Sequence, residues 1–150
     1  MKKKLSIAVI LAVIICICII TLKALNINFF NYTFTLRANW DISLPNSYDE
    51  IYEDDEEPSF LGDGYRYHIF KYNDTKRLES SLEWINKSDT SQAIENKVID
   101  ILQNIELEEL YYPDFSKYKY YTTTDKLDDS KLYIVWDINT NKVYVIEYFK

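Results

Sequence analysis

Five consecutive carboxylates, Glu53, Asp54, Asp55, Glu56 and Glu57, with Asp63 shortly after, form the densest group of chemistry-bearing side chains in this sequence. Clustered carboxylate oxygens either gather a hard cation or attract a basic partner. A calcium loop needs ligands at alternating positions, a central glycine and a closing glutamate, and five acids in a row lack that register. No metal ligand and no cofactor are therefore assigned. The preferred use is recognition: Glu53, Asp54, Asp55, Glu56, Glu57 and Asp63, flanked by Tyr65 and Tyr67, form a candidate binding surface for a basic peptide or protein. His68 is the only histidine. It has no GxSxG-type elbow to serve, and both cysteines, Cys16 and Cys18, lie in the apolar N-terminal run. His68 therefore reads as a packed or surface strand residue, and the chain reads as a non-enzyme. The alternative is an envelope hydrolase using paired acids; carboxylates are abundant, but none is singled out by spacing. A crowded stretch of tyrosines, Tyr111, Tyr112, Tyr118, Tyr120 and Tyr121, reads as sheet-face packing in preference to a recognition surface.

The elements that must position these residues follow a segment of different character. Lys2, Lys3 and Lys4 precede an uncharged run from Leu5 to Leu22. A helix of that length reaches about 27 Å, close to the hydrocarbon thickness of a bilayer. The run is long for a secretory signal, and Thr21 and Ala24 make a poor cleavage site. A lipoprotein signal needs a small residue before its cysteine, whereas Ile15 and Ile17 stand there. The sequence favours an uncleaved single-pass anchor over a cleaved signal or a lipidated one. Lysines cluster ahead of the run, which places the N-terminus in the cytoplasm and the C-terminal domain outside. The organisation predicted is an anchor at 1–25, a spacer at 26–31 and an extracytoplasmic domain at 32–150.

Charge narrows the partners. The chain carries 17 basic and 24 acidic side chains. Four of the basic ones, Lys2, Lys3, Lys4 and Lys23, belong to the anchor region, so the outer domain is left with a formal charge of −11. That excludes the basic footprint of a nucleic-acid binder and disfavours lying flat on anionic lipid. The domain has no cysteine and so must be held by packing alone, which its length allows.

Within the domain, Tyr32, Phe34 and Leu36 alternate with Thr33, Thr35 and Arg37, predicting a strand that resumes at Trp40, Ile42 and Leu44. The only two glycines, Gly62 and Gly64, mark a turn. A strand from Tyr65 to Tyr72 follows it, with a short partner strand near Glu50–Glu53. Leu78, Leu82 and Ile85 predict one helix capped by Asp74 or Thr75. Ile94, Val98, Ile101, Leu102 and Ile105 predict a second, capped by Asp89 with Gln92 three residues on. Strands are expected within Tyr111–Thr124, at Lys131–Trp136 and at Lys142–Phe149, the last two joined by an Asx-rich turn. Apolar residues on both faces of 142–149 predict a central strand. The fold class expected is α+β: a mostly antiparallel sheet with two central helices and a closing β-hairpin.

The segments WDISLP, SFLGDGYRYHIFKY and LYIVWDINTNKVYVIEY resemble those of small membrane-anchored or lipoprotein-like proteins of low-GC Gram-positive bacteria. The resemblance implies an envelope location and a non-catalytic role. Together with the charge, it gives the functional expectation: an extracytoplasmic binding or interaction module, such as an immunity or exclusion protein that intercepts a cationic peptide or an envelope protein.

Overall fold

A sheet of antiparallel strands, covered by helices on both faces, is the frame on which everything else hangs. The computed structural model describes residues 31–55 and 64–150, with Val13, Ile14 and Ile17 of the apolar run. Those three are helical and exposed. The rest of the expected anchor, the spacer up to residue 30 and the run 56–63 lie outside the described residues. No helix among the described residues is long and apolar enough to cross a membrane.

In chain order the elements are α1 (Tyr32–Trp40), β1 (Tyr48–Asp55), β2 (Gly64–Tyr72), α2 (Thr75–Glu79), β3 (Ile85–Asn86), α3 (Gln92–Asn104), β4 (Tyr118–Thr124), β5 (Lys131–Asp137) and β6 (Lys142–Phe149). Among the described residues six strands form one sheet in the order β1-β2-β6-β5-β4-β3, with every neighbouring pair antiparallel. The α+β class and the antiparallel sheet agree with the pattern in the sequence.

Strand β6 lies between β2 and β5, and its residues 143–147 are buried. Val143 and Val145 enter a core formed with Leu36 of α1, Leu78 of α2, Ile42, Leu44, Phe70 and Ile134. Tyr144 and Ile146 enter a second core, on the other face, with Val98 and Leu102 of α3 and Leu107. Two cores on opposite faces explain why β6 reads as apolar at nearly every position. The hairpin that leads into it is closed by Asp137. Its Oδ1 accepts the amides of Asn139 at 2.8 Å and Thr140 at 3.3 Å, and Asn141 takes the left-handed conformation that asparagine tolerates.

Three expectations need correction. Residues 32–40 are a helix, not a strand, and the expected continuation through Ile42 and Leu44 is an irregular segment whose two apolar side chains are buried in the first core. Asn31 caps it by accepting the Thr33 amide at 3.2 Å, and Asp41, in the left-handed region, closes it by donating its amide to the Arg37 carbonyl. The apparent alternation also contains a helical face: Thr33 and Leu36 are buried and Trp40 packs on the same core, at i, i+3 and i+7. Helix α2 stops at Glu79 and does not run through the Leu78, Leu82 and Ile85 stripe. Leu78 enters the core, Leu82 packs on it from the following turn, and Ile85 has become part of β3, opposite Tyr120. The capping box lies one residue earlier than expected and closes a 3-10 turn, Asp89–Ser91, that leads into α3, whose own N-cap, Ser91, makes no side-chain cap bond. Ser88 and Ser91, not Asp89 and Gln92, bond reciprocally, the Ser88 amide donating to Ser91 Oγ at 3.0 Å. The stripe of α3 itself is as expected, with Val98 and Leu102 fully buried.

Candidate functional site

The outer edge of the sheet is β1, and its acids are sorted by a bulge. Glu50 pairs with Phe70 and Tyr52 with Ile69, which leaves Ile51 as an extra residue between them. Glu50 and Glu53 are three apart in sequence and would point to opposite faces of a regular strand. The inserted Ile51 cancels one alternation, so Glu50, Glu53 and Asp55 share a face with Phe70, His68 and Arg66 of β2. Tyr52 and Asp54 point the other way, Tyr52 joining the second core.

His68 stands at the centre of the first group. It lies opposite Glu53 in the register and is 2% exposed. Its Nδ1 is 2.7 Å from Glu50 Oε1, and its Nε2 is 3.0 Å from Asp55 Oδ1. From α1, the ring of Tyr32 covers the imidazole, with centroids 3.4 Å apart. Glu50, Glu53 and His68 each bring a donor atom within 4.8 Å of the others'. Burial, and secondly the Arg66 charge, pushes the imidazole down to about 3. Burial, and then the charges of Glu53 and Asp55, pushes Glu50 up. Asp55 is also pushed up, mainly by burial, with Arg66 opposing. A neutral imidazole beside carboxylates of raised proton affinity is an arrangement that can hold a shared proton or a cation.

The residues expected from the sequence are not gathered on one surface. Glu53 and Asp55 belong to the histidine face. Asp54 lies on the other, accepting hydrogen bonds from the Tyr65 hydroxyl at 3.3 Å and the Tyr52 hydroxyl at 3.5 Å. Tyr67 is fully buried and donates its hydroxyl to the Tyr111 carbonyl at 2.6 Å, which is a core role. Glu56, Glu57 and Asp63 lie outside the described residues. Glu50 is missing from the set that the sequence suggests, and His68 reads there as a strand residue without chemistry. Only the β1–β2 register and the bulge bring them together. The one signal in the sequence is the spacing of a short acidic strand and a histidine-bearing strand across a glycine turn.

The tyrosines of 111–121 divide similarly. Tyr111 stacks on Tyr52 at 3.7 Å, and buried Tyr118 donates its hydroxyl to Glu95 Oε1 at 2.8 Å. A shallow cleft of about 350 Å³ at the start of α3 is lined by Lys87, Ser88, Asp89, Gln92 and Glu95. Two of its charges are already engaged with each other, Lys87 Nζ lying 3.3 Å from Glu95 Oε1. Tyr118→Phe is expected to destabilise the domain by about 1–2 kcal/mol, the worth of a hydrogen bond to a carboxylate, measured by urea denaturation.

No family model, curated protein or solved structure matches the chain.

Proposed function

We propose that this protein is a membrane-anchored binding module whose outer domain recognises a basic, extended peptide segment along β1. The observation that carries the reading is the position of the acids: Asp49, Glu50, Glu53 and Asp55 are exposed on a strand that, among the described residues, has no neighbour on its outer side. An edge strand offers a row of backbone donors and acceptors to an added strand, and carboxylates on it select a cationic partner. The bulge at Ile51 leaves Tyr52–Asp55 as the regular stretch for such pairing and discourages pairing with a second copy. The domain charge of −11 speeds the encounter with a cationic partner.

The N-terminal apolar run supports a setting at the outer face of a membrane, with the N-terminus inside and residues 32–150 outside. In that setting the module would act as an immunity or exclusion protein, capturing a cationic peptide or a basic segment of an envelope protein. A hydrolase is the weaker reading, because Glu50 and Asp55, the exposed acids with raised proton affinity, face His68 and Glu147, the third, has no exposed surface.

The test is titration of the full-length protein with an extended lysine-rich peptide, in chelator and at two salt concentrations. Asp49→Lys combined with Glu56→Lys and Glu57→Lys is expected to weaken binding at least tenfold and to flatten its salt dependence. Equal affinity in the triple variant would remove Asp49 and the acidic run that follows β1 as determinants of recognition.

A further inference from the structure

We propose that Glu50, Glu53 and His68 form a site for a divalent transition-metal cation of the zinc class, with Asp55 orienting the imidazole. The three side chains converge from two strands, one donor atom from each within 4.8 Å of the others. Zinc holds nitrogen and carboxylate ligands at about 2.0–2.2 Å, so such ligand atoms stand about 3–4 Å apart. The two glutamates are exposed, so their side chains are free to turn and close the remainder.

A second observation points the same way. His68 is buried and flanked by carboxylates at both ring nitrogens, 2.7 Å from Glu50 and 3.0 Å from Asp55. Nδ1 is hydrogen-bonded to Glu50, but among the described residues Nε2 makes no hydrogen bond despite its distance to Asp55, which leaves a buried ring nitrogen unsatisfied within the cluster. A cation between Nδ1 and the glutamates would draw these three donors together. Nδ1 then offers its lone pair to the metal, and Nε2–H faces Asp55, the carboxylate–histidine–metal arrangement that fixes tautomer and ring orientation. Tyr32 holds the ring from the far side, and Arg66 is the cationic neighbour on the same face of β2.

The donor set selects the metal. Calcium and magnesium take oxygen ligands, whereas one imidazole with two carboxylates suits zinc, manganese, iron or cobalt. The exposed glutamates leave the remaining positions to water, and the bound cation would tie the edge strand to β2. The site shares Glu50 and Glu53 with the recognition edge, so the peptide titration is done in chelator and the metal titration without peptide.

The experiment is thermal unfolding of the full-length protein in detergent, stripped with chelator and then given Zn²⁺, Co²⁺ or Ca²⁺ alone. Zn²⁺ and Co²⁺ are expected to raise Tm in a concentration-dependent way, and Co²⁺ to develop visible absorption bands. Both responses are expected to vanish in Glu50→Gln/Glu53→Gln, whose side chains are exposed and whose fold is not at risk. Asp55→Asn is expected to weaken Zn²⁺ affinity about 10–100-fold while leaving the site in place. No shift with Zn²⁺ or Co²⁺ overturns the proposal. So does a shift that persists in the double variant, or one matched by Ca²⁺, either of which would mean diffuse binding to surface acids.

Discussion

Relative to the Glu147→Gln variant, the protein is expected to lose on the order of 4 kcal/mol of stability between about pH 5 and pH 8.5. Glu147 sits on β6 with no exposed surface, among the side chains that α1 covers. Its partners are neutral: Trp40 donates its indole N–H to Oε1, and Asn39 donates at 3.5 Å. Oε2 has no partner among the described residues. Its cross-strand neighbours are Leu132 and Arg66, and the Arg66 guanidinium lies over the Phe149 ring, 5.0 Å from its centroid. Burial therefore pushes the carboxyl from its ordinary 4.5 up to about 8. A group that holds its proton more tightly when folded makes the folded state bind more protons than the unfolded state across that interval. Stability is then full below about pH 4.5 and is lost as pH rises toward about 8. Each tenfold gain in proton affinity on folding is worth about 1.4 kcal/mol, which sets the size of the effect. Glutamine keeps the acceptor for Trp40 and replaces one unpartnered donor with another. The two proteins should therefore match at about pH 5 and diverge at about pH 8.5, the variant being the more stable. Urea melts at both pH values measure this; parallel pH profiles would show that Glu147 is not held as a neutral acid.

The second large effect tests α1. Leu36→Ala is expected to cost about 2–5 kcal/mol, and Phe34→Ala less than about 0.5 kcal/mol. In a strand Phe34 and Leu36 would share a face and respond alike. In the helix Leu36 is fully buried, while Phe34 is 70% exposed. The same helix seats Tyr32 on His68 and Trp40 on Glu147. Loosening it should also restore part of an ordinary carboxyl titration at Glu147. Similar melting temperatures for the two alanine variants would return residues 32–36 to the strand reading.

That contrast shows where local pattern suffices. Strands β2, β4, β5 and β6 are legible as runs of aromatic and β-branched residues between turn signals, and helix α3 as a single apolar stripe. Residues 32–40 satisfy two periods at once, and aromatic and β-branched residues tip a local reading toward strand. The cap from Asn31 and the apolar sheet face that receives Leu36 decide otherwise, and the latter is a tertiary fact. Leu82 and Ile85 fail as helix positions for a similar reason, since Ile85 finds a ladder partner in Tyr120. The acidic cluster is visible in the sequence, but its chemistry is not. Nothing about Ile51 announces a bulge, and without it Glu50 and Glu53 fall on opposite sides of the sheet.

The placement of β6 has a consequence for how the chain is made. It is the last strand of the sheet in chain order, yet β2 and β5 meet only through it. A nascent chain that has not yet released residues 142–149 has two strand groups with open inner edges and neither core closed. Synthesis therefore yields no stable smaller intermediate of this sheet. If the domain is exported as proposed, it crosses the membrane unfolded and folds only after its final strand arrives, with the amides of β6 the slowest to exchange thereafter.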